Sequence, residues 1–162
     1  EFKKVLQAAL DELNRHREEE GASIEKDLLA RITKINAQEE TIVKLEPNRI
    51  KRIREEITQL LEKYVGKDNY DGNRLEQELI YYIEKIDIHE EQVRLKQHCD
   101  YFKTLLADSY QAKGKKLSFM IQEIGREINT TGSKADDAEI QKCVVTMKDE
   151  LERAKEQILN VL

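Results

Sequence analysis

The chain has 162 residues, of which 38% are charged and 6% aromatic, with no Trp and a formal net charge of −5. Those values exclude a generally basic nucleic-acid binder and a large aromatic core, so any nucleic-acid contact must be a local basic patch. A single Pro and the high charge content favour long helices over sheets, and no run of eighteen apolar residues suited to crossing a membrane occurs.

Apolar spacing places a first helix from Phe2 to Glu20, on a stripe of Phe2, Val5, Leu6, Ala9, Leu10 and Leu13. Gly21 either ends it or sits inside a longer helix, at a cost of ~1 kcal/mol relative to Ala. A second helix is expected from Ser23 to about Leu45, on Ile24, Leu28, Ile32, Ile35 and Ile42 or Val43. Pro47 suits the first turn of a third, which Ile50, Ile53, Ile57, Leu60, Leu61 and Tyr64 carry to Val65. Residues 1–65 are thus expected to form a long helical hairpin with solvated charged faces.

Gly66 to Asn73 reads as a turn, with two Gly, two Asp and two Asn. Leu75, Leu79, Tyr82, Ile83 and Ile86 mark the next helix, and Asp87 is a candidate cap. The helix from Ile88 to Leu106 carries Ile88, Leu95, Cys99, Phe102 and Leu106 on its apolar stripe. Glu91 and His98 lie on the edge of that stripe with Arg94 beside them. Polar groups at a core edge need partners, so these three form either a satisfied structural network or a functional one. Cys99 and Cys143 sit on apolar faces without metal-type spacing and read as two reduced core thiols. Asp108 to Lys115 is a loop with Lys113, Lys115 and Lys116 around Gly114, either a solvated linker or a lure for phosphate at a helix start.

The stretch from Leu117 to Glu139 is densest in groups that do chemistry. Leu117, Met120, Ile121, Ile124 and Ile128 form one stripe, with Lys116, Glu123, Arg126, Glu127 and Thr130 opposite. Glu123 and Glu127 are four apart, so like charges repel there unless Arg126, Lys116 or a cation intervenes. Phe119 falls on the polar face, against a neighbouring helix or free to stack on a base. Asn129 to Lys134 reads as a Gly turn, and Asp136-x-x-Glu139 as a capping-box variant. The last helix then runs to about Asn160 on Ile140, Val144, Met147, Leu151, Ala154 and Ile158. Lys148, Glu152, Glu156 and Asn160 make a polar stripe beside that face. The expected fold is all-α: an elongated array of about six or seven helices, ending in a helical hairpin and oligomerising through apolar faces. Residues 74–162 hold the polar motif.

The motif Gln122-Glu123-x-x-Arg126-Glu127-x-Asn129-Thr130-x-Gly132-Ser133-Lys134-Ala135, followed by Glu139, resembles the C-terminal signature of the YicC/YloC family of bacterial stress-induced proteins. Arg17-x-x-Glu20-Gly21-x-x-Ile24, Arg74-Leu75-Glu76-Gln77-Glu78, Glu90-Glu91-x-x-Arg94-Leu95-x-x-His98 and Lys148-x-Glu150-Leu151-Glu152 resemble further segments of it, in order. Gly125, Ser118, Lys155 and the terminal Asn-Val-Leu depart from its pattern. The resemblance implies that residues 1–162 are the C-terminal helical region of a longer protein, a cytoplasmic bacterial endoribonuclease supported by a divalent metal, Mg²⁺ or Mn²⁺. The residues compatible with that activity are Glu127, His98 and Arg126 as catalytic groups. Lys116, Arg126, Asn129, Ser133 and Lys134 would contact RNA, and Glu123 and Glu127, with Glu156 or Glu91, would ligate the metal. Water would then be the nucleophile, leaving 5′-phosphate and 3′-hydroxyl ends. The rival reading is a helical assembly module, whose RNA-binding and cleavage groups lie mainly in an amino-terminal half.

Overall fold

The computed structural model describes residues 2–108 and 113–159. Those residues form helices and no strands: α1 (Phe2–Tyr64), α2 (Gly72–Ile86), α3 (His89–Ala107), α4 (Gly114–Lys134) and α5 (Ala138–Ile158). The all-α expectation holds, but the described helices number five rather than six or seven.

The difference lies first in α1, where the expected hairpin over residues 1–65 is one continuous helix of 63 residues. At 1.5 Å per residue it is about 95 Å long. Gly21 is exposed within it and causes no break. Pro47 also lies inside, although a Pro in a helix interior loses one backbone hydrogen bond and costs ~3 kcal/mol. Packing on both sides of Pro47 offsets that cost. Ile42 is buried one turn before it, and Arg49 is 1% exposed just after it. Arg49 holds Glu46 at 2.6 Å and donates to the Ile86 carbonyl at 2.8 Å. Gly66, at φ +88°, provides the left-handed residue that ends α1.

The second difference lies in α4, which runs straight through the expected turn at 129–134. Gly132 is there for a close approach. A Cβ at Gly132 would stand 3.0 Å from Val144 Cγ1, and one at Gly125 would stand 3.1 Å from Leu151 Cδ2. Both glycines let α4 lie tightly on α5. The chain turns at 135–137 instead, and the cap is Asp137, not Asp136: its carboxylate accepts from the Glu139 and Ile140 N–H groups. Asn160, expected on the last helix, lies outside the described residues.

α1 packs on α5 and α3, and α4 packs on α3 and α5, so four helices close a ring around one core. Leu28, Ile32, Ile35 and Ile42 of α1 enter it with Leu95, Cys99 and Phe102 of α3. Ile121, Ile124 and Ile128 of α4 and Ile140, Val144 and Met147 of α5 complete it. Burying each such side chain stabilises by ~1.5–3 kcal/mol. The two cysteines are free and buried, as expected. α2 stands outside the ring and buries Leu79. Residues 2–23 of α1 are exposed throughout, including Phe2, Leu6, Leu10 and Leu13.

Candidate functional site

Apolar contacts between α3 and α4 bring the polar edges of the two helices together. Leu95 and Phe102 share the core with Ile124 and Ile128. The edge one step round from those stripes therefore carries Glu91, Arg94 and His98 on α3 and Glu127, Thr131 and Lys134 on α4. Glu91 is 4% exposed, and its Oε1 accepts from Lys134 Nζ at 2.7 Å. Its Oε2 and the buried Thr131 hydroxyl have no hydrogen-bond partner among the described residues. His98 Nε2 stands 3.9 Å from Glu127 Oε1, longer than a hydrogen bond but within reach of an ion pair when the ring is protonated.

Glu127 is the centre of this seam. Burial pushes its carboxyl above the usual range, and the Arg94 and His98 charges draw it back in part. Glu91 and Glu123 raise it further. The seam thus sets a carboxyl that holds its proton more tightly than usual 3.9 Å from an imidazole, two groups of the kind that move protons. Arg94 is shared with Glu90, its ion-pair partner one turn earlier.

The other expected site residues divide between two sides of α4. Arg126 is exposed and pairs with Glu123 at 3.2 Å, away from the His98–Glu127 contact. Asn129 is exposed on the side turned to α5. Lys134 is at the seam, engaged by Glu91. The Ser133 hydroxyl donates to the Thr130 carbonyl and Lys116 is exposed near the start of α4. Phe119 is 58% exposed. The three expected metal ligands are not gathered: Glu123 is held by Arg126, Glu127 faces His98, and Glu156 is exposed on α5. No group of three or more His, Cys, Asp or Glu side chains among the described residues is arranged to hold a metal ion.

The sequence marked Glu91 and Arg94 with His98 as either a structural or a functional network, and it gave no sign of Thr131. The Glu91, Arg94, His98 spacing of three and four was the available signal. Nothing local marks Thr131, whose burial depends on which helix covers it.

The model of a family described as endoribonuclease YicC-like, C-terminal, matches residues 42–162. The chain is 36% identical over 159 residues to a protein of Clostridioides difficile (strain 630) named "Probable endoribonuclease YicC", covering 97% of this chain and 54% of that protein. It is 41% identical over 93 residues to a protein of the same name from Haemophilus influenzae (strain ATCC 51907 / DSM 11121 / KW20 / Rd), covering 57% of this chain and 32% of that protein. The chain thus spans about half the length of the first relative and about a third of the second.

Proposed function

The chain belongs to the YicC-like endoribonuclease family, and from that premise we propose that the full-length protein cleaves RNA phosphodiester bonds with proton-transfer groups supplied by the α3–α4 seam. The observation that carries this reading is the buried Glu127 carboxyl, pushed up by burial, 3.9 Å from His98. In the proposed step the His98 imidazole takes a proton from an attacking water. The water oxygen bonds to phosphorus and the P–O3′ bond breaks. The Glu127 carboxyl, in the fraction that holds its proton, gives it to the leaving O3′, which yields 5′-phosphate and 3′-hydroxyl ends. Arg94 and the Lys134–Glu91 pair keep the seam's charge in place.

These steps are written on the chain's own residues, and among the described residues Glu123, Glu127 and Glu156 are not gathered around one point. A Mg²⁺ or Mn²⁺ supporting the reaction would be held by Glu123 or Glu127 together with further ligands. RNA contact falls to Arg126, Asn129, Lys116 and Lys134 in this reading, with Ser133 turned back on its own helix. Self-association is proposed through the exposed stripe of Phe2, Leu6, Leu10 and Leu13, and light scattering that finds a monomer at tens of micromolar would remove it.

The test is cleavage of end-labelled RNA by full-length Glu127→Gln and His98→Gln proteins. Each should lose ~10²–10⁴-fold in rate. Products ending in 2′,3′-cyclic phosphate would show that the RNA 2′-hydroxyl attacks and not water. Full activity in both variants would move catalysis to another part of the longer protein, as the assembly-module reading holds.

A further inference from the structure

The side of α4 turned to α5 carries a groove of about 370 Å³. Its floor is apolar: Ile121, Leu151 and the bare backbone of Gly125. Its rim is polar, with Arg126 on α4 opposite Lys148 and Lys155 on α5. These three cations share the rim with one carboxylate, Glu152, in a chain whose net charge is −5. Lys155 pairs with Glu152 at 2.8 Å and Arg126 with Glu123 at 3.2 Å. Lys148, Gln122 and Asn129 also line the groove, and their side chains have no hydrogen bond or ion pair among the described residues.

We propose that this groove is a nucleotide subsite, holding one nucleotide of single-stranded RNA beside the bond to be cut. It rests on the reading of the whole protein as an RNA nuclease. The base or ribose lies on the apolar floor, and the flanking phosphates lie on Lys148, Lys155 and Arg126. The amides of Gln122 and Asn129 each donate and accept, so they meet different base edges without strict preference. A base must be unstacked to reach the floor, which selects single strands over duplex. Arg126, on the groove rim, lies about 100° round α4 from Glu127, so a strand leaving the groove crosses the exposed face of α4 to reach the seam.

The test uses the full-length protein carrying Glu127→Gln, so that the strand stays intact, with and without Lys148→Ala and Lys155→Ala together. Both lysines are exposed, and a matching circular-dichroism melt checks the fold. A short single-stranded RNA should bind about tenfold more weakly to the lysine variant, and the log–log salt dependence should flatten by about 1.4, for two phosphate contacts. Arginine at both positions should restore affinity. With Glu127 present, the lysine changes should raise KM while kcat stays within about twofold. Unchanged affinity and salt dependence, or a loss confined to kcat, would overturn the subsite. If the protein cleaves RNA and the lysines do not matter, the subsite fails and the nuclease reading stands. If RNA affinity falls with the lysines while the unaltered protein cuts nothing, the nuclease reading fails and the groove stands. A protein that binds no RNA at all overturns both.

Discussion

Two seams of the same four-helix ring each bury a glutamate, and they treat it in opposite ways. Between α1 and α5, Glu150 accepts from Arg31 at 2.9 Å and from Lys34 at 3.1 Å. Burial alone would raise its carboxyl, but those two hydrogen bonds and charges outweigh burial and hold it below the usual range. Asp137, at the start of α5 in the same seam, is also raised by burial but brought down further by the Ile140 and Glu139 N–H groups and by Arg52. Between α3 and α4, Glu127 meets no such partner, and burial prevails. One seam satisfies its carboxylates and so joins helices. The other sets a carboxyl 3.9 Å from an imidazole with no hydrogen bond between them, so burial of the carboxyl is left largely uncompensated.

The comparison breaks most sharply at Glu127→Gln. Cleavage should fall ~10²–10⁴-fold, while the thermal midpoint at neutral pH stays level or rises. The sign follows from the raised carboxyl. Its contribution to stability is full below the unfolded value near 4.5 and is lost as pH rises through the folded value, so at neutral pH the buried charge is a burden that Gln lacks. A lowered midpoint would place Glu127 with the structural carboxylates.

Arg31→Ala should do the reverse. It leaves Glu150 with Lys34 as partner and should cost ~1–3 kcal/mol in urea unfolding, with kcat unchanged. A fall in kcat at equal stability would link the two seams.

Acid unfolding sharpens the contrast further. Glu150 and Asp137 contribute stability that is present above their unfolded values and lost as pH falls through their lowered folded values. Urea midpoints across a pH series should therefore drop less steeply toward acid in Glu150→Gln than in the unaltered protein. Glu127→Gln should leave that acid drop in place.

The smallest effect is expected at the cysteines. Burial pushes the Cys99 thiol up to about 12, and Cys143 is raised by burial too, so neither is a nucleophile at neutral pH. Cys99→Ala with Cys143→Ala should cost ~1 kcal/mol or more for the small cavities left, and the cleavage rate should stay within about twofold. A large loss of cleavage in a folded variant would place a thiol in the chemistry.

Much of this was legible before any tertiary structure. The apolar stripes of α3, α4 and α5 fell on the residues that the core contains, because a helix period of 3.6 is a local property. The motif around Glu127 marked the family. His98, Glu91 and Arg94 stood out as polar groups on a core edge, which is where they lie. Local signals misled where they carried a small energy. Pro47, Gly21 and Gly132 are breakers by propensity, yet each sits inside a helix. A breaker costs about 1–3 kcal/mol, and burying Ile42 and Arg49 around Pro47, or seating α4 on Val144 at Gly132, outweighs it.

Sequence by itself therefore determined the helical class, the apolar faces that α3, α4 and α5 turn inward and the family. Tertiary structure alone decided which faces meet. His98 and Glu127 are 29 residues apart, and Glu91 and Lys134 are 43 apart, so no local period relates them. Their contact depends on α4 settling between α3 and α5, and that choice is made by the fit of side chains along both surfaces at once. The same fit decides that Glu150 meets Arg31 and Lys34 while Glu127 meets a histidine. A carboxylate's role follows from its partners, and partners are supplied by packing.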